Sequence, residues 1–184
     1  MNLRIVLVAL ALAVTGCNQQ SATQDAESNA PQLDAPAPES EPSRVYAAAN
    51  DAARTVSTEL TVAVTQELPD AADADIKEIL SLRGGNGLNV SAEVTGAISP
   101  ATQVQGQTLR ALFAIPVEEP QVLVYRVTSA AGSPGLCSGG TPSFVVVWEP
   151  SAPGDAAMKL IGITGGAPGA GDSRACPMLE YRRS

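Results

Sequence analysis

The chain has 184 residues, enough for one domain once its ends are set aside, and its 45% hydrophobic content comes mainly from Ala, Val and Leu, with six aromatic residues. A formal net charge of −8 repels phosphate backbones and excludes nucleic acid as a partner. Histidine is absent, which removes Ser-His-Asp and Cys-His catalysis together with the commonest transition-metal ligand.

At the N-terminus, Arg4 is followed by ten apolar residues from Ile5 to Val14, then by Thr15, Gly16 and Cys17. The apolar run has the length of a signal-peptide core and is too short to span a bilayer. Together, Val14-Thr15-Gly16-Cys17 and the residues before it resemble the lipobox signal peptides of bacterial lipoproteins. That resemblance covers about the first 18 residues. It implies cleavage before Cys17, diacylglycerol on its sulfur and a fatty acyl group such as palmitate on its new amino terminus. Asn18, rather than Asp, follows the cysteine. By the same resemblance the chain is sorted to the outer membrane and faces the periplasm, in preference to the inner membrane or the cell surface.

Removing residues 1–16 takes away Arg4 and shifts the net charge from −8 to −9. Residues 17–43 then form the lipidated N-terminus and a linker, in which positions 18–43 hold five acids, no base and prolines at 31, 36, 38 and 42. Few of these side chains repay the entropy of ordering, so a disordered tether of about 30 Å or more is expected.

The domain is expected over residues 44–184. Val45, Ala49, Ala52, Ala53 and Val56 recur at helical spacing, and Leu60 to Val64 alternate as a strand does. Asp70 after Pro69, the acids behind it, the shared face of Ala72, Ile76, Ile79 and Leu80, and the Gly84-Gly85 stop predict a helix over 70–82. Short apolar runs follow at 88–95, 109–115, 122–128, 144–148, 159–163 and 178–181, separated by Gly- and Pro-rich turns. The fold class predicted is α+β, with one or two N-terminal helices on an antiparallel sheet of about five to seven strands and a meander at the end.

With Cys17 acylated, Cys137 and Cys176 remain, and an even pair in an oxidising compartment predicts a disulfide. The other constellations are poor in chemistry. Asp70, Asp73, Asp75 and Glu78 lack the spacing of a calcium loop and suit a helix N-terminus. Gly84 to Val90 reads as a turn, and the glycines at 165, 166, 169 and 171 form no phosphate loop. Glu118-Glu119, between Pro116 and Pro120, is the only adjacent acidic pair, and neighbouring residues at a loop tip seldom face each other across a substrate. Tyr125 and Trp148 suit a core, with a ligand surface as the alternative.

No catalytic residue, cofactor site or metal site is therefore expected. The functional expectation is a lipid-anchored envelope protein with a non-enzymatic binding or interaction domain for an envelope protein or glycan. The alternatives are a carboxylate-dependent glycan hydrolase and an envelope assembly accessory protein. The segments Leu136 to Gly140 and Ala175 to Tyr181, around the paired cysteines, resemble small proteobacterial envelope lipoproteins, a likeness that carries no function. Periplasmic lysozyme inhibitors share the small size, β structure and disulfide, without their inhibitory motifs being visible in this chain.

Cys17→Ser tests the anchor: the variant is expected to remain an uncleaved, unlipidated precursor on gels and in acyl labelling. Normal processing with membrane retention would contradict the lipobox reading.

Overall fold

The computed structural model describes residues 42–67, 76–150 and 157–184. The expected signal peptide, Cys17 and all of the tether except Pro42 and Ser43 lie outside them. In chain order the elements are β1 (Arg44–Ala48), α1 (Asp51–Val56), β2 (Glu59–Glu67), β3 (Lys77–Gly84), β4 (Asn89–Ile98), β5 (Gln103–Val104), β6 (Gln107–Thr108), α2 (Leu109–Phe113), β7 (Val122–Ala131), β8 (Phe144–Trp148), β9 (Ala157–Thr164), β10 (Arg174–Ala175) and β11 (Leu179–Arg183).

The expectation of an α+β sheet of five to seven strands is corrected. Eight strands, β1, β2, β3, β4, β7, β8, β9 and β11, pair antiparallel with their neighbours in chain order, and β11 pairs back onto β1 to close a barrel. The two helices have only six and five residues. The strands read at 60–64, 88–95, 122–128, 144–148, 159–163 and 178–181 are present as β2, β4, β7, β8, β9 and β11, the last three as a meander.

Three local expectations change. Over 77–82 the predicted helix is strand β3; residues 68–75 of that region lie outside the described residues. Alternation decides the outcome: Leu80 and Leu82 turn into the barrel while Ile79 and Ser81 turn out, and both edges of β3 find partners, β2 and β4. The reading of 109–115 as a strand gives way to α2. Thr108 caps that helix by accepting from the amide of Ala111, and Leu109 and Phe113, one turn apart, are both fully buried. The helical pattern over 44–56 splits into β1 and α1. Asn50 makes the break: its side chain caps the amide of Ala53, accepts from the amide of Glu180 and donates to the carbonyl of Met178.

Inward side chains from all eight strands form one core, including Tyr46, Leu60, Leu80, Val90, Tyr125, Val147, Leu160 and Tyr181. A second core lies outside the wall. Val122 and Val124 of β7, Val146 and Trp148 of β8, and Ile161 and Ile163 of β9 pack under Val104, Leu109, Phe113 and Ile115. This cover explains why β8 reads as a continuous apolar run: four of its five residues are buried, on both faces. Burying each such side chain contributes about 1.5–3 kcal/mol. Two irregularities in the β4–β7 pairing, at Ser91/Ala92 and Val94/Gly96, supply the bending that closure needs. Gly96 sits at φ 132°, a conformation other residues rarely adopt.

One end of the barrel is filled. Ala53 and Val56 of α1, Leu88 of the β3–β4 turn and Leu136 of the β7–β8 loop all join the interior core. The disulfide Cys137–Cys176, with its Cα atoms 5.4 Å apart, ties that loop to the segment leading into β11. It spans a sequence separation of 39, which in the chain-entropy model stabilises the fold by about 4 kcal/mol. Among the described residues, no helix is long and apolar enough to cross a membrane.

Gly162 of β9 faces this disulfide, and a Cβ there would stand 2.6 Å from Cys137 Sγ. Gly162→Ala is expected to lower stability by about 1–3 kcal/mol in chemical denaturation. The penalty should shrink when Cys137→Ala and Cys176→Ala remove the obstructing sulfurs. An equal penalty in both backgrounds would contradict this packing.

Candidate functional site

At the opposite end of the barrel, where β1, β3, β7 and β9 begin, lies a recess of about 380 Å³. Its walls are apolar low down, at Val62, Leu80 and Val147, and polar at the rim. Period-two alternation carries Arg44 and Tyr46 in from β1, Glu78 from β3 and Tyr125 from β7, while Glu149 follows directly on β8.

These five residues form two linked sets. Arg44 Nη1 donates to Glu149 Oε2 at 2.9 Å, and the Tyr46 hydroxyl donates to Glu149 Oε1 at 3.2 Å. The Tyr125 hydroxyl donates to Glu78 Oε1 at 2.9 Å. Both phenols rise from the barrel core, with Tyr46 at 2% and Tyr125 at 3% exposure, so each carboxylate is held from below. Among the described residues, the other oxygen of Glu78 has no hydrogen-bond partner and no cation pairs with that carboxylate. Burial, then the neighbouring carboxylates, push the Tyr46 and Tyr125 hydroxyls above the ordinary value of 10. Both remain hydrogen-bond donors throughout the physiological range.

The outer side of the recess is made by the loop after α2. Arg110 donates to the carbonyls of Pro116 and Glu119, which fixes Glu119 and Pro120 beside the rim. Lys159 donates to the carbonyl of Phe113 at 2.8 Å and lies 5.3 Å from the centroid of the Trp148 ring. Trp148 borders the recess while its side chain packs in the outer core; it is 7% exposed, and among the described residues its Nε1 has no hydrogen-bond partner. Such a buried, unmade hydrogen bond costs about 1–3 kcal/mol.

The residues singled out in the sequence are scattered. Cys17 lies outside the described residues, as do Asp70, Asp73 and Asp75. Cys137 and Cys176 sit at the filled end. Of the adjacent pair, Glu119 lines the recess and Glu118 is exposed away from its walls. Tyr125 and Trp148 are at once core and recess wall. Glu78, expected on a capped helix, points into the barrel mouth instead. Of the segment Gly84 to Val90, residues 85–88 make the β3–β4 turn between Gly84 of β3 and Asn89 of β4, and 165–173 connect β9 to β10. Among the described residues, no group of three or more His, Cys, Asp or Glu stands ready for a metal ion.

Arg44, Tyr46 and Glu149 escaped the sequence reading. Their signal was inward parity on strands, which becomes useful only when the barrel's inner face is known. Compared with protein-family models, curated proteins and solved structures, the chain matches none.

The buried phenols set an alkaline limit. Burial pushes Tyr181 up to about 12, and Tyr46 and Tyr125 are raised too. A phenol harder to ionise when folded contributes stability that is complete below about pH 10, the unfolded value, and is lost as pH rises through the folded value. Stability is therefore expected to fall steeply above about pH 10, with tyrosinate absorbance appearing together with loss of β signal. Reversible titration of all three tyrosines near that pH in a folded barrel would contradict it.

Proposed function

We propose that the chain is an outer-membrane lipoprotein, held by lipid on Cys17, whose linker lets a non-enzymatic β-barrel reach an envelope protein or glycan in the periplasm. The recess carries this reading. Small-ligand sites are concave, mostly apolar and furnished with a few fixed polar groups, commonly in about 300–1,000 Å³. The recess at Arg44, Glu78, Tyr125 and Glu149 has that make-up, at a volume of about 380 Å³. Its polar groups are positioned by buried tyrosines on strands rather than by flexible loops, so little ordering is left to be done on binding.

A carboxylate-dependent glycan hydrolase is the second reading, favoured by Glu78 and Glu149 sharing one recess. Such an enzyme needs one carboxyl to deliver a proton to the leaving group and another to act as nucleophile or base. Both oxygens of Glu149 are already engaged, by Arg44 and Tyr46, which leaves the pair badly placed for that division of labour. An envelope assembly accessory protein would be marked by an exposed apolar patch or a free sheet edge, and closure of β11 onto β1 pairs the two strands that would otherwise offer such an edge.

The test is paired capture from envelope extract, using the oxidised protein and an Arg44→Ala/Glu149→Ala double variant. Removing both partners avoids stranding a single charge. A component retained by the parent and lost with the double variant is the expected result, with no release of reducing ends from envelope glycan. Equal retention by both proteins, or glycan cleavage that depends on Glu78, would overturn the reading.

A further inference from the structure

Resting on that reading of the recess, we infer that its ligand is a basic side chain presented on a peptide, with Glu78 as the carboxylate that receives the cationic group. The two acids of the mouth are not equivalent. Glu149 has Arg44 on one oxygen and Tyr46 on the other, so its charge is matched and its acceptors are used. Glu78 has a single neutral donor, the Tyr125 hydroxyl, and among the described residues no cation. A half-buried carboxylate with an oxygen to spare, at a wall whose dielectric lies below that of water, attracts an ammonium or guanidinium group more strongly than a surface acid does.

The rest of the recess suits the stem of such a side chain. Leu123 beside the rim, with Val64 and Leu80 just below Glu78, offers apolar surface next to the carboxylate, the surroundings in which long basic side chains lay their methylenes. Leu123 is 39% exposed, so this surface reaches the rim. Trp148 borders the recess, but its indole packs into the outer core, so its buried Nε1 is not part of the mouth. A lone alkyl cation suits this recess better than a polyamine, whose further charges would meet Arg44 in the same lining, and a basic residue of a protein partner supplies one. The chain's own negative balance, −8, adds long-range attraction for a basic partner.

Trp148 is the single tryptophan, so its fluorescence reports directly on the recess. The experiment titrates the full chain in detergent micelles with four probes: N-acetyl-arginine amide, its neutral isostere N-acetyl-citrulline amide, spermidine, and a short arginine-containing peptide. Glu78→Gln is the key variant, because the amide keeps an acceptor for Tyr125 while removing the charge; a thermal melt checks its fold. Saturable, salt-weakened binding of the arginine amide and the peptide is expected, with citrulline amide, or Glu78→Gln, weaker by roughly ten- to a hundredfold. Spermidine is expected to bind more weakly than either. Equal binding of arginine and citrulline amides, or unchanged binding by Glu78→Gln, would overturn the inference while leaving the recess a binding site. Spermidine binding as tightly as the peptide would overturn the peptide source. Silence from every probe would also overturn it; the recess reading falls with it only if the paired capture fails too.

Discussion

Pairing of the last strand with the first is the constraint on which the rest of the structure depends. Tyr46, Ala47 and Ala48 of β1 stand opposite Arg183, Arg182 and Tyr181 of β11, and the amide of Ala49 donates to the carbonyl of Glu180 at 2.7 Å. Without that seam the eight strands would be an open sheet with two long unpaired edges. With it they enclose one interior, and inward apolar residues from all eight strands share the same core. Asn50 reinforces the seam just beyond β1, since one amide side chain caps α1 and bonds twice to the chain running through Met178 and Glu180.

Closure also creates two unlike ends. At one, α1, Leu88, Leu136 and the disulfide complete an apolar stopper. At the other, alternation along β1, β3 and β7 brings charged residues to the positions just above the core. Two phenols buried below them hold Glu149 and Glu78 by hydrogen bonds, while Arg44 matches only the first. The electrostatic asymmetry of the mouth therefore follows from strand register. It is what makes the barrel mouth a candidate receptor for a cationic group.

Much of the wall was legible from period-two patterns and turn residues, because β2, β4, β7, β8, β9 and β11 carry both. The pairing of Cys137 with Cys176 was legible from the expected compartment and from the count, since lipid on Cys17 would leave one even pair. The errors have local causes. Acids before Ile76 and the glycines after Arg83 look like helix start and stop signals, and Ile76, Ile79 and Leu80 fit a helical face as well as Glu78, Leu80 and Leu82 fit a strand. Only the presence of β2 and β4 on either side decides between them. In α2 the apolar run Leu109 to Ile115 hides a Thr108 cap and the one-turn spacing of Leu109 and Phe113. The site was hidden more deeply, since Arg44, Tyr46, Glu78, Tyr125 and Glu149 are brought together from sequence separations of up to 105. No local window contains them.

Amide hydrogen exchange across the β1–β11 seam tests the closed barrel most directly. The account predicts that the paired amides of Tyr46 to Ala49 and Tyr181 to Arg183 exchange as slowly as those joining β2 to β3. Exchange of the seam amides at the rate of exposed loops, with β2 and β3 still protected, would contradict closure and with it the shape of the mouth.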